Sequence, residues 1–294
     1  MIQGMSSLCR TALIFTLCFA GAAVIAAQTP SQPQQPQQQP PSGTPPADKS
    51  NPQQAAPLTL EPAAPPVNAE EDAAIKAFRE AKNDDLAKKS QMADDFLTKY
   101  PQSRYRVEIY QWQVQYFRSK NEIDKMEATA DKQLALFPND PQTLAAVGST
   151  LPRAMNANTP DPAKRLAKAE QMCQKALELL PTIPKPDGMP DDVFQKAKDQ
   201  TAALAYSGLG TVDFRRGKFA DAIPNFEKSV RMDPDPDPVN FYLLAFCNQK
   251  TSHFDDAVSA YQKCAAIPSG MQSTCTQGAE EAKKLASTQL SAPK

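Results

Sequence analysis

The sequence predicts an all-α fold: an α-solenoid of about five helix-turn-helix units with a C-terminal capping helix, preceded by a signal peptide and a disordered Pro/Gln-rich linker. Three observations carry this reading. From about Glu70 onward apolar residues recur every three or four positions, the spacing that places them on one face of a helix. Most prolines in the same region fall between these runs, as at Pro138, Pro181 and Pro234. Ala222 and Ala257 occupy matching places in two successive helix pairs, 35 residues apart, and a fixed period of this size marks stacked helical repeats.

Residues 1–27 are laid out as a secretory signal. Arg10, the sole charge, precedes an apolar stretch from Thr11 to Ala27, and small residues follow at a place that suits a signal peptidase. Two outcomes are open for this segment. It is either cleaved or retained as an N-terminal membrane anchor, for which roughly 17 apolar residues are at the short end. Leu17 before Cys18 is too bulky for a lipoprotein processing site. The implied destination is the periplasm or cell envelope, or secretion. No other segment is long and apolar enough to span a membrane.

Residues 28–68 carry 12 prolines and 9 glutamines and no aromatic residue. Such a chain cannot bury enough surface to offset its conformational entropy, so disorder with polyproline II character is expected. Fully extended it reaches on the order of 120 Å at ~3.1 Å per residue. It is either a spacer or a tail without a role.

The helical repeat domain covers 69–288. Its first unit pairs a helix around Ala74–Lys82 with one ending at Phe96–Pro101. Tyr110, Val114, Phe117 and Ile123 lead to Leu134 and Pro138 in the second. Leu144, Val147, Gly148 and Leu151 begin the third, and Ala169, Cys173, Ala176 and Leu177 close it, with Asn156–Asp161 lengthening the loop. The clearest units are 203–236 and 238–269. Tyr206, Leu209 and Gly210 form one helix face, Gly217 marks a turn, and Ala222, Ile223, Phe226 and Val230 form the second helix before Pro234. Phe241, Leu244 and Ala245 with Phe254, Ala257, Val258, Tyr261 and Cys264 repeat the arrangement. A polar helix at 272–287 with Glu280, Glu281, Lys283 and Lys284 reads as the cap such stacks need.

These segments resemble tetratricopeptide repeats, with the pattern W-x2-L-G-x2-Y…A-x3-F…P. Tyr206 stands at the Trp position, Leu209, Gly210, Ala222, Phe226 and Pro234 match, and Ser229 stands where a second Ala is usual. Asp213 departs from the Tyr position, with Phe214 beside it. The Phe96-Leu97-Thr98-Lys99-Tyr100-Pro101 string is similar to helix ends in helical-repeat proteins of the bacterial envelope. The resemblance implies a groove lined by the first helix of each unit, which takes a peptide or helix of another protein. By position the lining would include Leu204, Ser207, Thr211 and Arg215, then Val239, Tyr242, Phe246 and Lys250. Val239, Tyr242 and Phe246 are apolar where a solvated face would be polar. They form either an apolar groove or a contact with the cap. The family's Lys/Asn/Arg set for a C-terminal carboxylate is mostly missing.

Four cysteines remain beyond the signal: Cys173, Cys247, Cys264 and Cys275. Cys264 ends the last repeat and Cys275 begins the cap, so a bridge between them is expected in a disulfide-permissive compartment. Cys173 and Cys247 fall within helical stripes and read as small core residues.

Other chemistry finds little footing. No phosphate-loop, dinucleotide, nucleophile-elbow or zinc-protease motif occurs. His253, the one histidine, lies in a predicted turn, and no cofactor or metal is implied. Lys and Arg total 32 against 33 Asp and Glu, so no net field draws nucleic acid to the surface. Trp112 reads as core in preference to a ligand platform. The resulting expectation is a non-catalytic protein-protein scaffold. A self-assembling homo-oligomer, built through the groove or the proline-rich tail, is the alternative. An enzyme without a recognisable motif ranks below both.

Overall fold

The computed structural model describes residues 68–81 and 85–290. The expected signal and nearly all of the linker lie outside these residues. Among the described residues eleven α-helices and one 3-10 turn follow in order: α1 Ala69–Glu80, α2 Leu86–Lys99, α3 Arg106–Ser119, α4 Ile123–Leu136, α5 Pro141–Ala154, α6 Pro162–Leu179 with the turn Leu180–Thr182, α7 Asp191–Arg215, α8 Phe219–Met232, α9 Pro238–Lys250, α10 Phe254–Ala266 and α11 Gln272–Leu290. No strand occurs among the described residues.

Local chemistry starts several helices. Asn68 accepts from the Glu70 and Glu71 backbone N–H groups, and Glu70, Glu71 and Asp72 place negative charge at the positive end of α1. Asp85, Asp140 and Asp237 cap α2, α5 and α9 in the same way. Pro141, Pro162 and Pro238 sit in the first turn, where their missing N–H costs nothing. The turns after α3, α7 and α9 each hold a left-handed residue: Asn121, Gly217 and Ser252. Gly217 and Ser252 are 35 residues apart, so the period governs backbone conformation as well as burial.

The helices pack as five consecutive pairs, with α11 against α10. The first helices of successive units also touch, α3 on α5, α5 on α7 and α7 on α9. They form one continuous row, and the second helices form the other layer. No single core exists. Ile75, Phe78, Ala93, Phe96, Ile109 and Trp112 bury one junction. Val114, Met126, Val147, Leu151, Leu166 and Val212 bury the next. Leu144, Cys173, Ala176 and Ala205 occupy the α5–α6–α7 contact. Phe226, Phe241, Leu244, Tyr261 and Ala279 join the last two units to the cap. Trp112 is a core residue, edge-on to Phe78 at 5.5 Å and stacked on Tyr116 at 5.1 Å.

Two helices differ from the sequence reading. The helix expected to begin near 203 begins at Asp191, because Pro190 provides its start and Asp191 and Asp192 its acidic first turn. The added turns carry Val193, Phe194 and Ala197 at helical spacing, a signal hidden by the prolines just before them. The first helix starts at Ala69 rather than near Ala74, because Asn68 caps it.

Candidate partner-binding groove

The candidate groove runs along α7 and α9, and the eight positions assigned to it occupy different depths. Arg215 and Lys250 are exposed, and Leu204, Val239, Tyr242 and Phe246 are half-buried. Ser207 and Thr211 are buried at 1% and 2% exposure. Thr211 donates its hydroxyl to the Ser207 carbonyl, and Ser207 bonds across to α9. These two hydroxyls lie beneath the surface.

Aromatic packing holds the α9 side chains. Phe246 meets Phe214 at 5.6 Å and Phe219 at 5.9 Å, edge to face, while Phe214 and Phe219 meet each other at 5.8 Å. The Lys250 ammonium stands 5.1 Å above the Phe246 ring. Tyr242 leans the other way, onto Tyr261 at 5.8 Å. Tyr261 in turn lies against Gly278 of the cap. The apolar positions of α9 thus serve two neighbours: Phe246 the preceding unit, Tyr242 the following layer.

A polar network crosses the row. Arg153, at the end of α5, donates from Nη1 to Asp237 at 2.5 Å, and from Nη2 to Ser207 Oγ at 2.8 Å and to Asn240 Oδ1. Ser207 Oγ donates to Asn240 Oδ1 at 2.9 Å, and Asn240 Nδ2 donates to Ser229 Oγ at 3.2 Å. Arg215 donates to the carbonyls of Pro152, Arg153 and Met155, which satisfies acceptors that α5 leaves open at its end. Sequence reasoning missed Arg153, Asp237 and Asn240. The available signal was a basic residue in the last turn of each first helix: Arg79, Arg118, Arg153, Arg215 and Lys250.

The remaining chemistry-bearing groups lie elsewhere. Cys264 and Cys275 are joined in a disulfide with Cα atoms 5.9 Å apart. Cys173 and Cys247 are buried free thiols. Burial pushes both up to about 12, so little thiolate forms at neutral pH. His253 is exposed just before α10, its Nδ1 3.0 Å from Thr251 Oγ1. Among the described residues no group of three or more His, Cys, Asp or Glu is placed to hold a metal ion.

No family model and no curated protein matches the chain. Among solved structures, PilF of Pseudomonas aeruginosa superposes on it with a TM-score of 0.51 at 18% identity, over 74% of this chain and 90% of PilF. The two share a tetratricopeptide-like all-α solenoid. At that identity the likeness is one of fold alone, and function has to be argued from the site.

Proposed function

We propose that the protein is a non-catalytic scaffold, exported to the periplasm or cell envelope, which holds a segment of another protein in the groove along α7 and α9. The observation that carries this reading is the half-exposed row of Val239, Tyr242 and Phe246 on α9. Aromatic side chains kept partly in water on a rigid element are a ready anchor for a partner. Exposed Arg215 and Lys250 form a polar rim, and buried Ser207 and Thr211 set the surface from below. The Cys264–Cys275 bond supports an exported location, since such bonds persist in oxidising compartments.

The test is capture of partners from envelope extract by the full exported chain and by a Tyr242→Ala/Phe246→Ala variant. Helicity is checked in both, because the variant opens two aromatic clusters. A partner retained by the parent and lost from the folded variant is the expected result. Equal capture by both would place the binding surface elsewhere on the stack.

A further inference from the structure

The repeat pattern has a Tyr at the place of Asp213 on α7, and one period of 35 residues later the same place on α9 is held by Asn248. Helical spacing sets Asn248 with Phe241 and Leu244, on the face of α9 opposite Val239, Tyr242 and Phe246. A short amide where the pattern has a ring leaves space in an otherwise close-packed layer. That space is a cleft of about 540 Å³, floored by Phe241, Leu244 and Asn248 and walled by α8 and α10. Its volume falls in the range of roughly 300–1,000 Å³ usual for ligand sites.

Asn248 is the unusual member of the floor. It is buried, at 4% exposure, yet among the described residues its side-chain amide has no hydrogen-bond partner. Asn240 on the same helix is buried to the same degree, and its amide bonds to Arg153, Ser207 and Ser229. An unpaired buried amide is costly, and this one offers a donor, Nδ2, beside an acceptor, Oδ1. The walls add Glu227 and Arg231 from α8 and Asp256 and Lys263 from α10. These charges are of both signs, so the lining favours no single ion. The amide on the floor makes the selection instead. A residue of an extended chain presents its own N–H and C=O along one edge, which is the complement of a side-chain amide. Its neighbours in the strand turn their side chains to alternate faces, so one of them can meet an apolar floor.

We propose that the cleft between α8 and α10 is a second docking surface, which takes an extended segment of a partner protein. The N–H and C=O of one backbone residue pair with the Asn248 amide, and an adjacent apolar side chain rests on Phe241 and Leu244. The site is separate from the groove along α7 and α9, because it uses the other face of α9.

The probes are the blocked tripeptide Ala-Leu-Ala (N-acetyl, N-methylamide), the same peptide with every backbone nitrogen methylated, and N-acetylglucosamine. Each is titrated into the full chain while the side-chain NH2 resonances of Asn248 are followed. The expected result is a saturable shift with the unmethylated peptide alone, since methylation removes the donors. Equal shifts with both peptides, a shift with the sugar alone, or no shift with any overturn the assignment. Asn248→Leu keeps the size of the side chain and removes its amide. It should melt no lower than the parent, and it should bind the peptide about tenfold more weakly, read from the backbone resonances of Ser259 and Ala260. A lower melting temperature would make Asn248 a structural residue, and an unchanged affinity would remove it from the site; either overturns the proposal. The groove is read separately, by capture with Tyr242→Ala/Phe246→Ala, so each surface can fail without the other.

Discussion

At the scale of single residues, the sulfur of Cys173 occupies a tight place in the stack. It sits between Gly148 on α5 and Gly208 on α7. A Cβ at Gly148 would stand 2.5 Å from the sulfur, and one at Gly208 only 2.4 Å from it and 3.0 Å from Ser149 Cα. The missing side chains let three helices close on one small knob. Gly208→Ala should destabilise the chain by about 2 kcal/mol through overpacking, read as a lower urea midpoint with an unchanged slope. Adding Cys173→Ala should recover part of that loss, because the two changes share one space. Strict additivity of the two would show that the sulfur is not what the glycine accommodates. Gly210 and Phe226 form a comparable pair, with the ring 2.9 Å from the place a Cβ would take. Gly210 was legible in the sequence from the Leu-Gly resemblance. The role of Gly208 was not, because its partner is 35 residues upstream on another unit.

At the scale of elements, α11 depends on a covalent tie as well as on packing. Cys275, Ala279 and Ala282 are its buried stripe, and Gly278 admits the Tyr261 ring. Small side chains bury little area, so the apolar contact alone is modest. The disulfide closes a loop with a separation of 11 residues. Such a loop stabilises by roughly 3 kcal/mol in the chain-entropy account. Reduction should therefore release α11 before the rest of the stack. Hydrogen exchange after reduction is expected to accelerate in 272–288 and to leave α3–α7 protected. Uniform acceleration along the chain would mean that the tie supports the whole solenoid. The bridge was legible from the positions of the two cysteines at the end of one helix and the start of the next. The length of α7 was not, because Pro181–Pro190 reads as a connector and hides the helix start that Pro190 itself provides.

At the scale of the whole described domain, stability is a chain of junctions, each made only with neighbours. Charged belts reinforce several of them. Arg79 pairs with Glu108 at 2.7 Å across the first junction, and Arg216 with Glu170 at 2.8 Å between the third and fourth units. Glu127 on α4 meets Lys168 at 2.6 Å and Arg165 at 2.8 Å on α6. Burial works to raise the Glu127 carboxyl, and the Lys168 ammonium with the Arg165 guanidinium outweighs it, leaving the group below its ordinary value of 4.5. A depressed carboxyl contributes stability above its unfolded pKa and loses it as pH falls through the folded one. Glu127→Gln should then cost about 1 kcal/mol at neutral pH. Parent and variant should converge in acid, below the ordinary carboxylate range. A difference that persists there would assign the effect to packing and not to charge.

The sequence by itself determined the helical class, the pairing of most helices, the cap and the partner of Cys264. Those follow from periodicity, proline punctuation and neighbouring positions, all of which are local or repeat at one interval. Only the tertiary structure decided the depth of the groove residues and the polar network across them. Ser207 and Thr211 share a helix face with Leu204 and Arg215, yet both are buried, and Arg153 reaches from α5 across Ser207 to Asp237 and Asn240 on α9. Helical period states which face a residue occupies. It does not state which long side chain from two helices away will cross that face, since that depends on how the units turn relative to one another.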